Sequence, residues 1–171
     1  MMRNKEQVLE ELRSGGKIIF KVVNFKGNHE PESLQALEMI VNTISPPGQN
    51  YVNTLPIPFG LYLGDVLVKN LESAEWVIPE EELKKDKDID VSQFKISFKN
   101  PTGSICHLYP FRRAYKFFED RTDSLHAAYV FSERVESGFL DPQKLAGKGQ
   151  VDIGDNTTVE AVEAEKFEDE D

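Results

Sequence analysis

The stretch PIPFGLYLGDVLVKNL, residues 56–71, is apolar almost all the way round a helical cylinder. Pro56 and Pro58 fit only the first turn of a helix, where a missing N–H breaks no bond, and Thr54 stands where an N-cap belongs. Beyond them Phe59, Leu61, Tyr62, Leu63, Val66, Leu67, Val68 and Leu71 leave only Asp65, Lys69 and Glu72 as a polar line at i, i+4, i+7. A helix this apolar must be covered on most sides, so it is the expected centre of the fold. Gly60 and Gly64 share one face. Glycine inside a helix costs about 1 kcal/mol against alanine, and close approach by a neighbour is the expected compensation. Asp65, the acid within this helix, has Lys69 one turn on as its expected ion-pair partner.

On the C-terminal side, Ala74–Ile78 carries Trp76 and reads as a strand. Residues 80–90 hold nine charges in eleven and read as a solvated loop or short surface helix. Gln93–Phe98 alternates, with Phe94, Ile96 and Phe98 on one face. Asn100-Pro101-Thr102-Gly103 is a turn signal, and Ser104–Tyr109 returns from it. A two- or four-residue loop there places Ile105, His107 and Tyr109 on the face of Phe98, Ile96 and Phe94, which is the preferred register. A three-residue loop with a bulge places Cys106 and Leu108 there instead.

Residues 110–120 resume a helical period. Phe111, Ala114, Tyr115 and Phe118 form the expected buried stripe. Arg112, Arg113 and Lys116 then take the outer side, with Phe117 beside Arg113. A last helix, capped by Thr122 or Asp123, runs to about Val135 and ends at Gly138. On the N-terminal side, residues 4–13 read as a short helix ended by Gly15-Gly16, and residues 17–25, KIIFKVVNF, favour a strand by their β-branched content, with helix as the alternative. Residues 31–45 are a clearer helix, with Leu34, Leu37, Val41 and Ile44 on one stripe and Pro46-Pro47-Gly48 as its stop. The expected class is α+β: a small antiparallel sheet near residues 74–78, 93–98 and 104–109, with 17–25 as an optional strand, packed on the 56–71 helix with flanking helices.

The chain has 171 residues and a net charge of −10. Nine acids and one base fall in residues 150–171, so that segment carries −8 and the rest of the chain only −2. One domain over residues 1–145 with an acidic tail over 146–171, disordered or loosely docked, is expected. Neither a DNA mimic, which spreads acids over a folded face, nor a basic nucleic-acid binder fits this distribution. There is no apolar run of about 18 residues, and the first residues alternate charge with aliphatics, so no membrane span and no signal peptide are expected. The one cysteine, Cys106, suits a reducing cytoplasm.

Asp86, Asp88 and Asp90 have the spacing of a calcium loop, but that loop needs glycine and glutamate where Val91 and Ser97 stand. His29, His107 and His126 lie apart, without zinc-ligand spacing. Cys106 and His107 are neighbours in a strand, so their side chains point to opposite faces and cannot pair. No serine sits in a Gly-x-Ser-x-Gly turn, neither phosphate-binding glycine motif occurs, and Gly147-Lys148-Gly149 lies beyond the last helix. No catalytic, cofactor or metal residue is therefore assigned.

Arg112, Arg113 and Lys116 with Phe117 form the candidate interaction surface, facing an acidic partner or the chain's own tail. The expected function is a non-enzymatic cytoplasmic protein-interaction module, a regulatory or immunity-type binder of another protein. The alternative is a small enzyme or an anion- or small-molecule-binding protein that uses residues 112–116 with His107 or His126.

Gly60, Tyr62, Gly64, Asp65, Val66, Trp76, Pro110, Phe111 and Lys116 also carry a resemblance. Over about residues 56–126 the chain resembles a bacterial group of uncharacterised domains with a G-x-Y-x-G-[DE]-V helix, a Trp-bearing strand and a P-F-x-x-x-x-K segment. The resemblance implies a small α+β fold and brings no assigned activity and no catalytic residues.

Overall fold

A computed structural model describes residues 3–45, 54–121 and 124–141, together with the backbone of Val151–Asp152 and Thr158–Val159. In chain order these residues form α1 (Lys5–Val22), α2 (Glu32–Ile44), α3 (Pro56–Asn70), β1 (Glu75–Val77), α4 (Glu80–Leu83), β2 (Lys95–Lys99), β3 (Ile105–Leu108), α5 (Pro110–Asp120) and α6 (Leu125–Glu136). Two short strands, β4 (Val151–Asp152) and β5 (Thr158–Val159), follow. The fold is α+β: a three-stranded antiparallel sheet in the order β1-β2-β3, packed against α3 and α6.

The central helix is α3. Ten of its residues are buried, and it meets α1, α5, α6, β1 and β2. Its first turn contains both prolines and has no side-chain cap; Thr54 contributes only its carbonyl, to Ile57 N–H. The expected pair with Lys69 does not form. Asp65 instead accepts from Arg13 of α1, while Lys69 reaches Glu30 at 2.7 Å. The i+4 neighbour is displaced because α1 brings a guanidinium fork that meets both carboxylate oxygens.

Residues 17–22 are helix, not strand, and α1 runs unbroken through Gly15-Gly16. Val8, Leu9, Leu12, Gly16 and Ile19 recur at helical spacing on its inner side. Gly16 is buried against Pro58, where a Cβ would already stand 3.0 Å from the Pro58 Cβ. The tertiary contact between α1 and α3 thus outweighs both the glycine penalty and the β-propensity of KIIFKVV. Asn4 starts the helix with a capping box closed by Gln7.

The hairpin takes the bulged register. Ile96 pairs with Leu108 and Phe98 with Cys106, so Cys106 and Leu108 join Trp76, Ile96 and Phe98 on the buried face. His107, paired with Ser97, points to the other face. The cause is local. Asn100 and Ser104 close a three-residue loop, and Gly103 takes a left-handed φ of 84° that suits glycine. The Asn100 side chain stabilises the turn by accepting from the N–H groups of Thr102 and Ser104.

Ser124 caps α6, accepting from Ala127 N–H, in place of Thr122 or Asp123. The side chain of Glu136, at the other end of that helix, accepts from Glu72 N–H and Ser73 N–H and so ties down the turn between α3 and β1. The backbones of β4 and β5 pair with each other, and β5 lies beside β3. The rest of the expected tail and the Pro46-Pro47-Gly48 stop lie outside the described residues. No described helix is long and apolar enough to cross a membrane.

Candidate binding groove

The expected interaction surface on α5 is not assembled. Arg113 is 7% exposed and Phe117 4%, so both are interior residues. Arg112 lies over the Tyr109 ring at 4.3 Å and donates to the Ser92 carbonyl, and Lys116 pairs with Asp120 at 3.1 Å. Tyr115, expected inside, is half-buried. The sequence stripe assumed one covered side. In the fold α5 has α3, α6 and the turn at Val91–Gln93 around it, so the buried arc widens toward Arg113 and Phe117.

Of the two histidines expected as alternatives beside residues 112–116, His107 lies on the sheet face away from Cys106, and His126 lies in the first turn of α6. The His126 backbone N–H donates to Glu38, and its ring lies by Gln35 in a shallow pocket of about 360 Å³ with Phe131 and Arg134. Among the described residues no group of three side chains could hold a metal ion.

Cys106 is 1% exposed, and burial, with a smaller contribution from Asp141, pushes its thiol up to about 11. A thiol so placed is inert in the folded state. We expect a thiol reagent at pH 8 to label the native protein slowly and the denatured protein at once. The folded pKa lies above the unfolded one, so the thiol's contribution to stability is whole below the unfolded value. It is lost as pH rises toward about 11.

A larger concavity, about 490 Å³, lies between α1 and α3. It is a groove with an apolar floor. Phe20, Phe25 and Tyr62 meet edge to face, with ring centroids 5.1 to 5.7 Å apart, and Leu61 and Pro58 continue the surface. The Tyr62 hydroxyl holds the far wall: it accepts from His29 N–H at 3.0 Å and bonds Ser33 Oγ at 2.7 Å, while the His29 ring lies 4.7 Å from its own. These contacts fix the 24–29 turn, in which Asn24 and His29 both have positive φ.

Four cations border the groove and one carboxylate lies in it. The carboxylate, Asp65, is consumed internally by two bonds from Arg13, at 2.9 and 3.0 Å, and one from the Trp76 indole N–H. The Arg13 pKa is raised, chiefly by that hydrogen bond, so the guanidinium stays charged. Lys17 meets Glu10 at 3.4 Å. Among the described residues the ammonium groups of Lys21 and Lys26 have no carboxylate partner, and both residues are exposed.

The β-branched content of residues 17–25 favours a strand over the alternative helix, and an extended 17–25 would not form this groove. On a helix, Arg13, Lys17 and Lys21 stand at i, i+4, i+8 beside Gly16 and Phe20, and that spacing was the available signal. Comparison of the chain with protein-family models, curated proteins and solved structures finds no match in any of the three.

Proposed function

We propose that this protein is a non-enzymatic protein-interaction module whose contact surface is the groove between α1 and α3. The carrying observation is the pairing of an aromatic, preformed floor with a rim on which Lys21 and Lys26 have no carboxylate partner among the described residues. Aromatic concavities bounded by polar groups are where binding energy concentrates. The exposed Lys21 and Lys26 give that rim positive charge, which suits an acidic surface. A reducing compartment such as the cytoplasm suits the single buried thiol.

The test uses tagged full-length protein in the cells that make it. Lys21→Glu/Lys26→Glu alters two exposed side chains, so stability should hold to within about 0.5 kcal/mol. We expect the co-purifying partner to be lost with this variant and retained with Lys95→Glu/Lys99→Glu on the outer face of the sheet. Equal recovery with both variants would remove the groove from the reading.

A further inference from the structure

We infer that the groove between α1 and α3 receives an acidic peptide segment of a partner protein, with one large apolar side chain on the Phe20–Phe25–Tyr62 floor. This inference rests on the interaction reading above and adds the chemistry of the partner.

Lys17 and Lys21 are one helical turn apart along α1, and Lys26 follows on the turn that closes the far wall. Neighbours at i, i+4 stand about 5–6 Å apart at Cβ. The cations are therefore strung along the rim. A small carboxylic acid or a lone phosphate asks for donors converging on one point, as in a bidentate clamp. Arg13 is the groove's guanidinium, and its fork is already closed on Asp65. What matches a line of separated ammonium groups is a line of separated carboxylates, which an acidic peptide supplies.

The floor asks for something else. Phe20 and Phe25 are only half-buried, Leu61 and Tyr62 lie beneath them, and the volume of about 490 Å³ exceeds what one carboxylate fills. An aromatic or leucine side chain between the acids would cover those rings, and its burial would supply the affinity while the charges supply orientation and rate. Arg13 is shared between Asp65 and Glu6, at 2.9 and 2.6 Å, and Lys17 meets Glu10, so the segment's acids fall at the Lys21–Lys26 end of the rim, away from these carboxylates.

Fluorescence anisotropy on the full-length protein tests this, using a labelled synthetic peptide with one central phenylalanine among glutamates. Three control peptides accompany it: phenylalanine to alanine, glutamates to glutamine, and glutamates to lysine. We expect saturable binding of the first peptide in about 50 mM salt and clear weakening at about 300 mM. Lys21→Glu/Lys26→Glu should weaken it by about tenfold or more, and loss of the phenylalanine by a similar factor. Binding of the glutamine or lysine peptide as tight as that of the acidic one, abolished by Phe20→Ala, would overturn the acidic chemistry and leave the interaction reading standing. No saturable binding of any peptide would overturn the inference. So would binding of the acidic peptide that ignores the lysine reversal. Residues 160–171, acidic around Phe167, are the competing occupant. If the acidic peptide bound only after Phe167→Ala, the groove would belong to the chain's own C-terminal segment and the partner reading would fall.

Discussion

Replacing Gly64 by leucine should destabilise the protein by about 3 kcal/mol or more, above the usual range for an overpacked site. A side chain on Gly64 would begin at a Cβ lying on the Cζ2–Cη2 edge of the Trp76 indole. That ring cannot swing aside cheaply. It is 3% exposed, its N–H is bonded to Asp65 at 3.0 Å, and it stacks obliquely on Phe111 at 5.7 Å. A loss of this size lowers Tm by roughly 6–12 °C in a chain of this length. Alanine should already be damaging, because the Cβ itself is the intruding atom. Thermal unfolding of Gly64→Ala, Trp76→Leu and the double variant checks the mechanism. Removing the indole should recover part of what alanine costs, giving a coupling well outside additivity. Strict additivity would show that the glycine and the indole do not meet.

Asp65→Ala should cost about 2–4 kcal/mol, since one carboxylate answers three donors. Its removal leaves the Arg13 guanidinium with Glu6, at 2.6 Å, as its remaining close partner and the Trp76 N–H without its acceptor. Asp65→Asn keeps one oxygen for the indole and should cost less. Urea unfolding of Asp65→Ala, Arg13→Ala and the pair separates the contributions. If the bidentate contact matters, Asp65→Ala costs much less once Arg13 is gone. An unchanged cost in the Arg13→Ala background would assign the whole effect to the indole bond. Both substitutions act on the junction of α1, α3 and β1, so any loss of partner binding in them must be read against stability. The exposed lysines give the cleaner functional probe.

Several parts of this architecture are local and were legible in the amino-acid string. Residues 56–71 are apolar almost all the way round with prolines only in the first turn, so a buried central helix follows from the residue pattern alone. The stripe Leu34-Leu37-Val41 and the strands around Trp76 and Ile96 follow in the same way, whereas Ile44, expected on that stripe, stands exposed at the end of α2. The placement of nearly all the net negative charge after residue 149 is a fact of composition.

Other features depend on which surface arrives from elsewhere in the chain, and periodicity does not carry that information. KIIFKVV has strand composition, yet it is helix because Gly16 lets α1 press against Pro58. A preference worth tenths of a kcal/mol per residue loses to tertiary burial. The hairpin register turned on one left-handed glycine, and with it the side of the sheet that His107 faces. Arg113 and Phe117 went inside because α5 acquired neighbours on more than one side. The groove depends on the first of these, the helical course of α1. Its lysines are ordinary surface residues in the sequence, and they become a rim only when α1 stays helical and the 24–29 turn folds back over Tyr62.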